Sequence, residues 1–161
     1  MSRPVALAVA LGCTSLLLLL GVLGFQYLGR LPPCELCLWQ RWPHVGAAAV
    51  GLGGALLIRA GLLDLGAARG VAALAAMLIA ISGALGVYHA GVEWHWWLGP
   101  QSCTGSAFHY TGRLDLSAPA VACDIAAWRL FGLSLAGYNA VISLGVAVAA
   151  AILLTRREKK A

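Results

Sequence analysis

Three stretches of this chain, residues 5–28, 71–91 and 136–154, contain no charged side chain, and a fourth, 38–58, contains only Arg41. Roughly 20 consecutive apolar residues are enough to cross the hydrocarbon core of a bilayer. Backbone groups in that core must be satisfied inside the protein, and a helix does this within one segment. The composition agrees: 61% of residues are hydrophobic and 11% charged, whereas soluble domains carry about 25% charged residues. The expected fold is an all-α membrane protein, a four-transmembrane-helix bundle forming one integral domain over residues 1–161.

The net charge of +5 does not indicate a nucleic-acid partner, because the basic residues are scattered between apolar runs or gathered near the C-terminus. They fit a positive-inside bias instead. Seven (Arg3, Arg59, Arg69, Arg156, Arg157, Lys159, Lys160) fall on one side of the four spans and four (Arg30, Arg41, Arg113, Arg129) on the other. The seven-residue side is expected in the cytoplasm, with both termini inside. All six tryptophans (Trp39, Trp42, Trp94, Trp96, Trp97, Trp128) then lie at or near the outer face, where an apolar ring with one N–H is most at home. The first apolar stretch follows Arg3 as a secretory signal would. It is too long for a signal core and ends in no clear small-x-small site, so cleavage is not expected, nor is lipoprotein-type cleavage before Cys13.

This topology leaves a short outer loop at 29–37 and a long one at 92–135. The long loop exceeds what a helix–helix connection needs, which is a property of functional loops. Its apolar part, 125–135, is too short to span and is expected as a short membrane-parallel helix. Within the spans, Ala47, Gly51 and Ala55, and then Ala72, Ala76, Ala80 and Ala84, recur every four residues. Small residues at that spacing let helix backbones approach closely in lipid. The Gly-rich run at 51–54 belongs to such a seam and not to a phosphate loop.

Four of the five cysteines, Cys34, Cys37, Cys103 and Cys123, fall in or beside the outer loops. Disulfides persist outside the cytoplasm, so both pairs are disulfide candidates. Cys34-Glu35-Leu36-Cys37 closes too small a ring to constrain much unfolded chain, and such pairs are more often redox-active or metal-binding than structural. Pro32-Pro33 lead into a helix that starts near Cys34. A helix N-terminus carries partial positive charge and free N–H groups, which stabilise a thiolate. Arg41 lies on the same helix face as both cysteines, and His44 continues the stripe. A fixed cation there would stabilise the Cys37 thiolate or the oxyanion of a bound acceptor, whereas the bland alternative is snorkelling to the interface. His44 reads first as a hydrogen-bonded interfacial histidine and only second as part of a site. Cys103 and Cys123 suit a disulfide closing a mobile loop able to reach a soluble partner. His89, Glu93, His95, Cys103 and His109 show no recognised metal-ligand spacing, and no metal site is expected. Cys13, inside the first span, is expected as a small buried packing residue.

The segment Pro33-Cys34-Glu35-Leu36-Cys37-Leu38-Trp39-Gln40-Arg41, four spans, and a second cysteine pair between the third and fourth resemble the DsbB family over about residues 8–154. The segment from His89 through Glu93 to Gly99-Pro100-Gln101-Ser102-Cys103-Thr104-Gly105 is similar to that of its shorter members. The resemblance implies a thiol:quinone oxidoreductase of a bacterial inner membrane that reoxidises a periplasmic, thioredoxin-fold DsbA-like protein. It implies that the partner attacks the Cys103–Cys123 disulfide at Cys103. Electrons then pass to Cys34–Cys37 and on to a quinone (ubiquinone or menaquinone) beside Cys37, Arg41 and His44. No oligomer is required. Gln40 stands where family members often carry an acid, and the loop pair is more closely spaced than in longer members. Two alternatives are a vitamin-K-epoxide-reductase-like enzyme, whose redox C-x-x-C belongs to a later helix, and a membrane scaffold with purely structural disulfides.

Overall fold

The protein, described from a computed structural model over residues 2–104 and 121–156, is mostly helical. Helix α1 runs Arg3–Tyr27 and opens on Pro4, which needs no N–H partner in a first turn. After Pro32-Pro33 the backbone of Cys34 is extended. Its sulfur accepts the Cys37 N–H at 3.2 Å and caps helix α2, Glu35–Ala48. A π turn over Ala49–Gly53 carries the same rod into α3, Gly54–Arg59, with helical dihedrals at both joins. Helix α4 spans Ala68–Glu93, and α5 spans Leu135–Thr155. Three helical segments, Arg3–Tyr27, Leu65–Glu93 and Leu135–Thr155, are long and apolar enough to cross a membrane. They present large apolar side chains such as Leu17, Leu20, Met77, Val141 and Val148 outward.

The helices meet along small residues. Ala8, Leu11, Ala47, Ala72, Ala75, Ala76, Ile79 and Ala150 form the central core. A Cβ placed on Gly51 would lie 2.6 Å from the Ala8 carbonyl oxygen, so α1 and the π turn touch backbone to backbone. At the end of the bundle that carries the cysteines, Cys34, Leu36, Val92, Cys103 and Cys123 form a second buried cluster.

Three expectations are corrected here. The seam on α4 does not follow a strict four-residue repeat: Ala72 and Ala76 are buried, Ala80 is half-buried and Ala84 is exposed. Four residues overshoot a 3.6-residue turn by about 40°. The buried stripe therefore drifts to Ile79, Ser82, Gly83, Gly86 and His89. Residues 125–135 hold no membrane-parallel helix. Arg129–Leu130 (β1) pairs with Leu133–Ser134 (β2) as a small antiparallel hairpin, with Phe131 and Gly132 both at positive φ. Two such residues make a turn whose twist matches paired strands, and Ser134 then caps α5 by accepting the Gly137 N–H at 3.2 Å. Cys13 is exposed on the outward face of α1 and is not buried. His109, Arg113, Arg157, Lys159 and Lys160 lie outside the described residues.

Candidate functional site

The cap that starts α2 places the C-x-x-C motif. Cys34, as N-cap, turns inward and is 4% exposed, while Cys37, one turn on, is half-buried. Both are free thiols, whereas Cys103 and Cys123 form a disulfide with a Cα–Cα separation of 5.3 Å. The Cys123 N–H also donates to the Cys103 carbonyl at 2.7 Å. Cys34 packs in the same buried cluster as that disulfide. The four cysteines singled out in the sequence are thus gathered at one end of the bundle.

On its other side the motif meets an apolar cavity of about 360 Å³ between α1, α2, α4 and α5. Leu18, Val22, Phe25, Trp128 and Ile142 contribute apolar wall; Cys37, Gln40, Arg41, His44, His89 and Asn139 supply the polar groups. Few, placed polar groups in an apolar cleft are the usual composition of a small-molecule site. Arg41 does not simply snorkel: its Nη1 donates to Gln26 Oε1 at 2.6 Å, which holds the guanidinium at the cavity wall. His44 lies between Ser15 and Asn139, with Nδ1 at 3.2 Å from the Ser15 hydroxyl and Nε2 at 3.0 Å from Asn139 Oδ1. Both its nitrogens are engaged by protein, so it offers the cavity ring surface and not a free hydrogen bond.

The two thiols are electrostatically unequal. The hydrogen bond from the Cys34 thiol lowers Cys37 below the ordinary thiol range, and the Arg41 charge adds to this against the opposing effect of burial. That same bond, together with burial, pushes Cys34 upward. The first negative charge therefore settles on Cys37, the sulfur that faces the cavity.

Sequence reasoning missed a buried polar network behind the motif. Gln40 donates to the Leu36 carbonyl at 3.1 Å and contacts His89 Nδ1 at 2.8 Å. Asn139 donates to Gln40 Oε1 at 2.8 Å, and His89 Nε2 lies 3.6 Å from Cys34 Sγ. Ser15, Ser82, Asn139 and Ser143, polar residues inside apolar runs, were the available signal, since such residues in a span are seldom idle. Cys34, Cys37 and His89 also bring three ligand-type atoms within 4.8 Å of one another. The sequence spacing could not reveal that grouping, because His89 belongs to a different helix. His95, by contrast, lies beyond the end of α4 and has no part in it.

The chain matches the family described as "Disulfide bond formation protein DsbB" over residues 2–153. No curated protein matches it, and no solved structure does.

Proposed function

Because the chain belongs to the DsbB family of disulfide bond formation proteins, we propose that it is a thiol:quinone oxidoreductase reoxidising a DsbA-like, thioredoxin-fold protein. The observation that carries this reading is the position of the C-x-x-C motif. Cys34 shares a buried cluster with the Cys103–Cys123 disulfide, and Cys37 faces the apolar cavity. A motif so placed can receive electrons from one side and release them on the other.

In the first exchange a thiolate of the reduced partner attacks Cys103, forming a mixed disulfide and freeing Cys123. The partner's second thiol attacks its own bridged sulfur, so the partner leaves oxidised and Cys103 and Cys123 hold two electrons and two protons. A thiolate of that pair then attacks Cys34 in the Cys34–Cys37 disulfide, and Cys37 leaves as the thiolate favoured by its surroundings. Closure of Cys103–Cys123 leaves Cys34 and Cys37 as the dithiol. The cavity fits a quinone ring: its walls are apolar, and the Arg41 guanidinium is a fixed donor for a carbonyl oxygen. A bound quinone supplies an acceptor for two electrons and two protons, which restores the Cys34–Cys37 disulfide. Arg41 orients the acceptor, Cys37 presents the electron-rich sulfur, and the leucine-rich wall excludes water.

The proposed setting is a bacterial inner membrane, with residues 38–58 of the α2–π–α3 rod as the fourth span and the cysteines on the periplasmic side. The test is to supply the purified protein with a reduced DsbA-like protein and a soluble ubiquinone or menaquinone analogue. Stoichiometric quinone reduction is expected, and it should be lost in Cys34→Ser. Absence of quinone reduction by the intact chain, or its persistence in Cys34→Ser, overturns the reading.

A further inference from the structure

The hydrogen-bond network behind the C-x-x-C motif determines where the proton sits on His89, and the determination starts from two backbone carbonyls. A carbonyl oxygen can only accept. The Ser82 carbonyl, 3.1 Å from Asn139, therefore faces the NH₂ group of that side chain. The same NH₂ group reaches Gln40 Oε1 at 2.8 Å, so the oxygen of Gln40 points toward Asn139. At the other end, the Leu36 carbonyl lies 3.1 Å from the Gln40 nitrogen and fixes it as the donor end. Turning the Gln40 amide over would set oxygen against oxygen at Leu36 and nitrogen against nitrogen at Asn139. The group presented to His89 Nδ1 at 2.8 Å is then an N–H, and Nδ1 must accept it.

A neutral imidazole with Nδ1 as acceptor carries its proton on Nε2. Three acceptors surround that nitrogen: Cys34 Sγ at 3.6 Å, Glu93 Oε1 at 3.7 Å and the backbone carbonyl of Cys123. Gln40 is 7% and His89 3% exposed, so water does not compete for these bonds. We propose that Gln40, backed by Asn139, is a positioning residue for the thiol chemistry: it holds His89 as a hydrogen-bond donor to the Cys34 sulfur. His89 then steadies negative charge on Cys34 and cannot withdraw the Cys34 proton through Nε2. The same proton occupies the lone pair that a metal ion would need. Although Cys34, Cys37 and His89 are grouped closely enough for a metal, His89 is turned away from that use. A metal-bound histidine ordinarily donates its other N–H outward, which the Gln40 N–H forbids.

The proposal rests on the thiol-oxidase reading, and its test needs neither quinone nor protein partner, so the two can fail separately. Among the described residues, the titratable groups around Cys34 are Cys37 on its own helix and His89 with Glu93 on α4; Cys103 and Cys123 are tied up in their disulfide. Cys37→Ser isolates Cys34 and keeps the backbone N–H that caps the helix. In that background the ¹⁵N imidazole spectrum of His89 at pH 8 should show the proton on Nε2. Gln40→Glu presents a carboxylate to Nδ1, and the proton should move there. Nε2 is then free to take the Cys34 proton as an imidazolium–thiolate pair, so the midpoint of Cys34 alkylation against pH should fall by about one unit. His89→Phe should instead raise the midpoint by about one unit, the loss of one charge-assisted hydrogen bond, and Gln40→Glu added to it should bring no fall, because Gln40 acts through His89. A proton on Nδ1 of His89 in the Cys37→Ser background, an unchanged or raised midpoint in Gln40→Glu, or a fall on adding Gln40→Glu to His89→Phe would each overturn the proposal.

Discussion

Cys34 and Cys37 differ by three positions in sequence, yet one turn of helix gives them different chemistry. The largest influence on Cys37 is the Cys34 thiol, ahead of Arg41. Because Cys37 is lowered, its thiolate is present above that lowered value and disappears as the pH falls through it. Iodoacetamide should therefore alkylate Cys37 in the reduced protein with a midpoint below that of an ordinary thiol. Cys34→Ala should raise the midpoint more than Arg41→Ala does; the reverse order would mean that charge, not the thiol donor, governs the site. Arg41→Lys tests geometry separately. A lysine keeps the charge but loses the planar fork and the fixed hold on Gln26, so KM for the quinone should rise roughly tenfold or more, with the Cys37 midpoint little changed. The residues bearing sulfur and charge were legible because their spacing along one segment defines them. His89, Gln40 and Asn139 were not: Gln40 lies 49 residues from His89 and 99 from Asn139, and only helix packing brings them together.

At the scale of elements, the long uncharged runs identified helices because a span must satisfy its own backbone. The hairpin at Arg129–Ser134 escaped, since an apolar stretch of that length carries no periodicity to separate strand from helix. Its deciding feature is a pair of positive-φ residues, one of them Phe131, which composition does not announce. Helix contact depends on backbone approach, and glycine reports on it directly. Gly51 faces the Ala8 carbonyl and the Gly12 backbone, whereas Gly53, two residues on, has nothing within 4 Å of where a Cβ would sit. Gly51→Val should push α1 from the rod and cost about 1–3 kcal/mol, the usual range for overpacking. Gly53→Ala should be neutral or stabilising by up to about 1 kcal/mol, since alanine is the better helix former. Thermal unfolding in detergent compares the two. Equal losses at both positions would show that the π turn, not the α1 contact, sets the tolerance.

At the scale of the whole molecule, the proposed chemistry requires the cysteine end to face an oxidising compartment. The described ends of the bundle do not settle this by charge alone: Arg3, Arg59, Arg69 and Arg156 lie at one end, and Arg30, Arg41 and Arg129 at the other. Arg41 is committed to Gln26 at the cavity wall, which makes it a poor topological signal. The bias comes from the sequence beyond Arg156, where Arg157, Lys159 and Lys160 bring the total to seven against four. Loop and terminal Lys and Arg close to a span set its orientation more strongly than acids do. A disulfide such as Cys103–Cys123 would be reduced in the cytosol and persists outside it. Charge and redox compartment thus independently support the proposed orientation. A C-terminal fluorescent-protein fusion should be bright, and an alkaline-phosphatase fusion at the same place inactive. Replacing Arg157, Lys159 and Lys160 with glutamine should weaken the preference without touching the site. Phosphatase activity from the unaltered chain would put the cysteines in a reducing compartment, and the electron route from a periplasmic thiol could not operate.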